Sequence, residues 1–362
     1  MIPCNDIKRF YERHQQEFEE AALRAMRSGW YILGEEGKSF EREFAEAVGA
    51  KYCIGVDNAT NALFLGMKAI GIGPGDEVLV QANTYIATVL GITRNGAFPV
   101  FVEPNEYYNM SDNIEEYITK KTKAVLVTHL FGQATNMGRI VEICNKYNLI
   151  LLEDCSQAHF SEYDGKQVGT YGLMGFFSFY PTKNLGALGD AGAVVTNNEE
   201  LSNKLKMLRN YGSKARYDFA YDGINSRMDE IQAAVLRVKL KYKDEINKER
   251  EKIANRYLSE IKNPLIKLPM VSEKCTSVWH LFVMQVDNRE KFISYMKSKG
   301  ISTDIHYPIP PHLSGCYENL EYKLGDYPIT ELLSKTIVDI PLFNGMTDNE
   351  VTTKIEAVNE YK

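Results

Sequence analysis

Between positions 77 and 197, six apolar runs of strand length alternate with helix-like stretches, and that alternation narrows the choice of fold sharply. The runs are 77–82 (EVLVQA), 98–103 (FPVFVE), 123–129 (KAVLVTH), 149–154 (LILLED), 174–180 (MGFFSFY) and 192–197 (GAVVTN). Segments 59–70, 136–147 and 199–210 carry helical periodicity. A strand that is apolar along its whole length must be covered on both faces, so the pattern predicts an α/β protein built on a mostly parallel sheet. Functional residues are then expected where strands end. From Arg227 onward no glycine or proline interrupts a stretch in which Ile231, Val235, Val238, Tyr242 and Ile246 recur by threes and fours, which predicts one long amphipathic helix. At 362 residues the chain exceeds what one hydrophobic core usually serves. The division is placed along this helix, giving a large domain over 1–245 and a smaller one over 246–362. The second contains a strand candidate at 277–286, the segment 301–312 (ISTDIHYPIPPH) and a last helix.

Several classes of partner are disfavoured. A formal charge of -6, with no block of basic residues, argues against nucleic acid. The polar, acidic start lacks a secretory apolar region, and no window supplies the roughly 18 uninterrupted apolar residues of a membrane span, so a cytoplasmic protein is expected. The six cysteines contain no C-x-x-C pair and are expected to be reduced and buried. The histidines show no metal-ligand spacing, and no metal site is predicted. GIGPGD at 71–76 resembles a dinucleotide fingerprint but follows a helical segment and precedes a strand, the reverse of what pyrophosphate binding requires; it reads as a turn.

The segment 176–192, FFSFYPTKNLGALGDAG, places Lys183 between an aromatic run and glycines at 186, 189 and 192. Such a lysine either snorkels from a glycine-rich turn or is held in a site where burial lowers its pKa and its amine becomes a nucleophile. Asp154 ends the run LILLED and is placed to meet a ligand at a strand terminus; the alternative is a helix N-cap before residues 155–159. A lysine able to form a Schiff base and a carboxylate facing a pyridine nitrogen are together what pyridoxal phosphate needs as an electron sink. Asn58-Ala59-Thr60-Asn61 opens a helical stretch whose backbone N–H groups could hold the phosphate, and Ser178 adds a hydroxyl. Tyr85 is the candidate to stack on the ring, although an aromatic beside a strand end can equally be core.

These segments, with Gly29–Gly34, THLFGQ (128–133) and GINSRMDEIQAA (223–234), run in order over about positions 29 to 312 and together resemble the DegT/DnrJ/EryC1/StrS family of sugar aminotransferases. The resemblance implies a pyridoxal-phosphate enzyme of the aspartate aminotransferase fold (fold type I), a homodimer with sites at the subunit interface. Carried onto this chain, it implies that Lys183 bonds the cofactor aldehyde and Asp154 faces the pyridine nitrogen. The resemblance further implies Gln157 near the ring hydroxyl and Tyr85 on the ring. By the same resemblance Ala59, Thr60 and Ser178 are expected to hold the phosphate, and Asn225 to reach it from the partner subunit. His306, Tyr307 and Tyr180 lie towards the sugar. Glutamate is the implied amino donor and a nucleotide-linked keto sugar the acceptor. The variant NYGSKARYDFAYDGINSR (210–227) resembles the branch acting on dTDP-linked 3-keto-6-deoxyhexoses rather than 4-keto sugars. Ala59 and Asn61 depart from the commoner glycine and aspartate of the phosphate loop. Cys155 and Ser156 stand where alanines are usual, Phe160 and Ala191 where glycines are. The sugar dehydratases of the family carry histidine at the lysine position, so Lys183 argues against dehydration. A regulatory protein that keeps the fold is the remaining alternative.

Overall fold

The computed structural model describes residues 1–362, and its central sheet follows directly from the apolar runs. Seven strands lie in the order Tyr52–Val56, Gly192–Thr196, Met174–Ser178, Ile150–Asp154, Thr122–Thr128, Glu77–Gln81 and Phe98–Val102. Gly192–Thr196 runs antiparallel to both neighbours, and every other pair is parallel. Successive residues of a strand point to opposite faces. In Thr122–Thr128, Val125 and Val127 accordingly join one core, and Ala124 and Leu126 join the other. Two-sided burial is why these strands read as continuously apolar. Tyr52–Val56, with Gly55 inside it, was too weak a run to be anticipated.

The predicted helices form at Ala59–Ala69, Met137–Tyr147 and Glu199–Leu208. The turn at 71–76 is a turn, with Gly71 and Gly75 at positive φ. The long helix after Arg227 needs correction: it is two helices, Glu230–Lys241 and Lys243–Glu260, broken at Tyr242 (φ -101°, ψ 12°). Tyr242 is held off the helical path by tertiary contacts, with its ring 3.9 Å from that of His14 and its hydroxyl donating to Glu17. No local breaker signals this.

A second correction concerns 277–286, where only Phe282–Val286 is a strand, paired with Ile266–Lys267 and Ile337–Ile340. Residues 277–281 instead cross the loop at Gly132: Val278 N–H donates to the Gly132 carbonyl (2.9 Å) and Leu281 N–H to that of Phe131 (3.2 Å). Gly132 sits at φ +105°, and a Cβ there would lie 2.6 Å from the backbone nitrogen of His280, so only glycine lets the two segments touch. The three-stranded sheet carries its own core, which includes Ile253, Tyr257, Phe282, Phe292 and Val358. Four cysteines are buried, but Cys4 is half-buried and Cys316 exposed, contrary to expectation. No helix is long and apolar enough to cross a membrane.

Candidate active site

The carboxyl ends of the central strands open into a cavity of about 750 Å³. Lys183, Asp154, Gln157, Ser178, Ala59, Thr60, Tyr85, Tyr180, His306 and Tyr307 all line it. Asn225 does not; it is exposed, on the segment bridged to Asn210. Parallel register brings the parts together, because Thr128 lies beside Asp154 and Asp154 beside Phe176, two residues before Ser178.

Lys183 sits on a loop that folds tightly on itself. Its own N–H donates to the Tyr180 carbonyl (2.8 Å), and a Cβ at Gly186 would lie 2.3 Å from the Pro181 oxygen. Desolvation lowers the Lys183 amine to about 8 against the partial opposition of Asp154. That is the behaviour of a lysine held in a site rather than one reaching for water. Its Nζ lies 3.5 Å from His280 Nε2.

Asp154 is buried and heads no helix, which removes the N-cap alternative. Its Oδ1 accepts from Ser156 N–H (3.0 Å) and its Oδ2 from the Thr88 hydroxyl (2.8 Å). Thr84 lies between the Thr88 and Thr128 hydroxyls, at 2.9 Å and 3.1 Å, so a chain of hydroxyls backs the carboxylate. Gln157 accepts from Phe131 N–H (2.7 Å) and donates to the Tyr307 hydroxyl (3.0 Å). Burial raises the Tyr307 hydroxyl pKa, and the Tyr307 ring lies 5.0 Å from that of Tyr85. His306 Nδ1 lies 2.9 Å from the buried Asp339 carboxylate; burial alone would lower this histidine, but the carboxylate outweighs it and raises it.

At the start of Ala59–Ala69, Asn58 accepts from Asn61 N–H, and the N–H groups of Ala59 and Thr60, residues that line the cavity, have no partner in the protein. Gly192 makes the approach possible, since a Cβ there would stand 2.5 Å from the Asn58 carbonyl carbon. Two free N–H groups, the Thr60 hydroxyl and the Ser178 hydroxyl form a donor set suited to a phosphate. With a desolvated lysine and a buried carboxylate in the same cavity, the residues fit pyridoxal phosphate.

Sequence reasoning missed Thr84, Thr88, Thr128, His280 and Asp339. Thr88 lies one helical turn from Tyr85 in NTYIAT, and His280 and Asp339 each interrupt an apolar run, a signal that was available.

Comparison with known proteins gives the same answer from a separate direction. The model of the DegT/DnrJ/EryC1/StrS aminotransferase family matches residues 12–359. The chain belongs to that family. It is an aminotransferase with the α/β fold of its relatives. The dTDP-3-amino-3,6-dideoxy-alpha-D-galactopyranose transaminase of Aneurinibacillus thermoaerophilus is 50% identical over 363 residues, covering 100% of this chain and 99% of that one. The crystal structure of Streptomyces venezuelae DesV superposes with a TM-score of 0.97 at 40% identity, covering 99% and 98% of the two chains. Bacillus subtilis NtdA, solved with bound cofactor PMP, superposes with a TM-score of 0.90 at 29% identity, covering 98% of this chain and 83% of that one.

Proposed function

We propose that this aminotransferase uses pyridoxal 5'-phosphate to move an amino group from glutamate to dTDP-linked 3-keto-6-deoxyhexose, giving the 3-amino-3,6-dideoxyhexose. The observation that carries the reading is the desolvated Lys183 amine and the buried Asp154 carboxylate in one cavity with the phosphate cradle. When bound, the cofactor supplies an aldehyde for the amine and a ring that delocalises the electrons left when a proton departs from carbon. Asp154, oriented by Thr88 and Ser156, is the group to hold a proton on the ring nitrogen. Lys183, with its amine lowered to about 8, takes up and returns protons near neutral pH. Ala59, Thr60 and Ser178 bind the phosphate, and Tyr85 covers the ring face. Gln157 tethers Tyr307 over the cavity, and Tyr307, His306 and Tyr180 face the sugar.

The same reading makes the protein a homodimer in which Asn225 serves the partner's site. The exposure of the aromatic residues Trp30, Tyr31, Tyr211, Tyr217 and Phe219 supports it, since large apolar side chains left at a surface are candidates for a subunit contact. It also divides the chain near residue 245, supported by the separate core of the C-terminal sheet.

The test is the visible spectrum of the purified protein before and after glutamate, followed by borohydride reduction and peptide mapping. A yellow band that bleaches with glutamate, and a reduced adduct on Lys183, are expected. A protein that stays colourless with added pyridoxal phosphate would leave only a regulatory role. Parallel assays on dTDP-linked 3-keto and 4-keto sugars then decide the acceptor, and turnover of the 4-keto compound alone would overturn the assignment.

A further inference from the structure

The hydrogen bonds around Lys183 run outward to backbone carbonyls, which can only accept, and these anchors fix the tautomer of His280. The Asn247 amide donates from Nδ2 to the backbone carbonyl of His159 (3.1 Å), so its Oδ1 is the acceptor facing Asn184. Asn184 donates from Nδ2 to that oxygen (3.1 Å) and to the carbonyl of Val278 (2.8 Å). Its Oδ1 is thereby turned to His280 Nδ1, 3.3 Å away. An amide oxygen only accepts, so Nδ1 carries the imidazole proton and Nε2 presents a lone pair. That lone pair faces Lys183 Nζ at 3.5 Å.

The ring is fixed from behind as well. Arg250, buried, donates to the carbonyls of Trp279 (3.0 Å) and His280 (2.9 Å). Burial, the Lys183 amine and the Arg250 guanidinium all hold His280 far below the usual histidine range, so it stays neutral. Asp154, His159 and His306 complete the ionisable surroundings of the pair. None of them donates to Nε2.

We propose that His280 is a positioning residue for Lys183: its Nε2 accepts an N–H of the amine whenever the lysine is not bonded to the cofactor. Asn184 and Asn247 hold the imidazole in the tautomer that can do so. The inference rests on the catalytic role given to Lys183. An acceptor on one N–H restricts rotation about the last carbon–nitrogen bond, so the remaining lone pair or proton keeps a fixed direction. It also favours the ammonium form, partly offsetting the desolvation of this lysine.

The first measurement uses the wild-type protein without cofactor. Nitrogen NMR of labelled imidazole should find His280 protonated at Nδ1 and bare at Nε2 across pH 6 to 9; a ring protonated at Nε2 overturns the proposal. The second is competitive acylation of Lys183 against pH in cofactor-free protein, read by peptide mapping. The midpoint, about 8 in the wild type, should fall by about one pH unit in His280→Phe, the size expected for one lost hydrogen bond to a charged group. Asn184→Leu, which frees the tautomer, should shift it in the same direction, and His280→Gln should recover part of the loss. An unchanged midpoint in folded His280→Phe overturns the proposal, and if that variant does not fold, the wild-type tautomer decides alone. Borohydride mapping of loaded wild-type protein separates the two readings. An adduct on Lys183 with no response to His280 leaves the aminotransferase assignment standing and removes only this inference.

Discussion

Glu153 and Asp154 are neighbours on one strand, both buried, and they have opposite fates. Side chains alternate across a sheet, so Glu153 points into one face and Asp154 to the other. Glu153 accepts from the N–H groups of Gly169 (2.7 Å), Tyr171 (2.7 Å) and Gly172 (2.6 Å), and pairs with His129 Nε2 (3.1 Å). His129 Nδ1 in turn accepts from Thr135 N–H (3.0 Å), which leaves Nε2 as the donor. Cys155 completes a cluster that by composition could hold a metal ion, yet the carboxylate's lone pairs are already used. Asp154 has two partners and opens onto a cavity. Burial and charge are common to both residues; the difference is an acceptor left free and facing space.

The buried lysines repeat the contrast. Lys354 is lowered to about 7 by burial, close to the value for Lys183, but its amine donates to the Pro341 carbonyl (3.1 Å) and touches Met346 sulfur. A low lysine pKa marks a reactive amine only where no structural acceptor holds it away from a cavity.

The sharpest way to break this comparison is Lys183→Ala. Transamination should fall at least about a thousandfold while the unfolding midpoint stays near that of the wild type, because the cradle and ring contacts remain. Turnover near the wild-type rate would contradict the role of the amine. Next in size is the neighbouring pair. Asp154→Asn should lower kcat/KM by roughly 10²–10⁴ without lowering stability. Glu153→Gln should cost about 3 kcal/mol or more in chemical unfolding, since an amide cannot accept from every N–H now satisfied, with turnover per folded molecule little changed. If the two variants exchange phenotypes, the contrast between the faces is wrong.

Thr88→Val removes only the hydroxyl that donates to Asp154 and should cost about tenfold in kcat, the equivalent of one hydrogen bond, measured at saturating substrate. A separate effect, read without substrate, is on stability against pH. Because the folded-state pKa of Lys183 is depressed to about 8, the unfolded chain binds more protons at this residue from pH 8 up to the ordinary lysine value. Cofactor-free wild type should therefore gain stability relative to Lys183→Met as pH rises through that window, with no further change below pH 8. A difference that is flat across the window would mean that the amine is not desolvated.

Much of the site was legible because its parts are short strings tied to strand ends. Asp154 closes an apolar run, Lys183 follows a strand stopped by Tyr180-Pro181, and Thr60 opens a helix. The break at Tyr242 was not legible, because the residues that hold it, His14 and Glu17, lie more than two hundred positions earlier. His280 was overlooked for a related reason. The histidine breaks an apolar run that otherwise reads as strand over 277–286, and it is the crossing at Gly132 that keeps residues 277–281 out of the sheet and brings His280 against Lys183.

By itself the sequence determined the α/β sheet, its two-sided burial and the family, and it pointed to the lysine, carboxylate and helix start that line the candidate site, because each depends on residues close together in the chain. Only the tertiary structure decided which of two adjacent carboxylates is free and which histidine meets the lysine. It also decided that His306 is held by Asp339. Those outcomes depend on which hydrogen-bonding atoms remain unpaired once distant segments have met, and no local pattern records that.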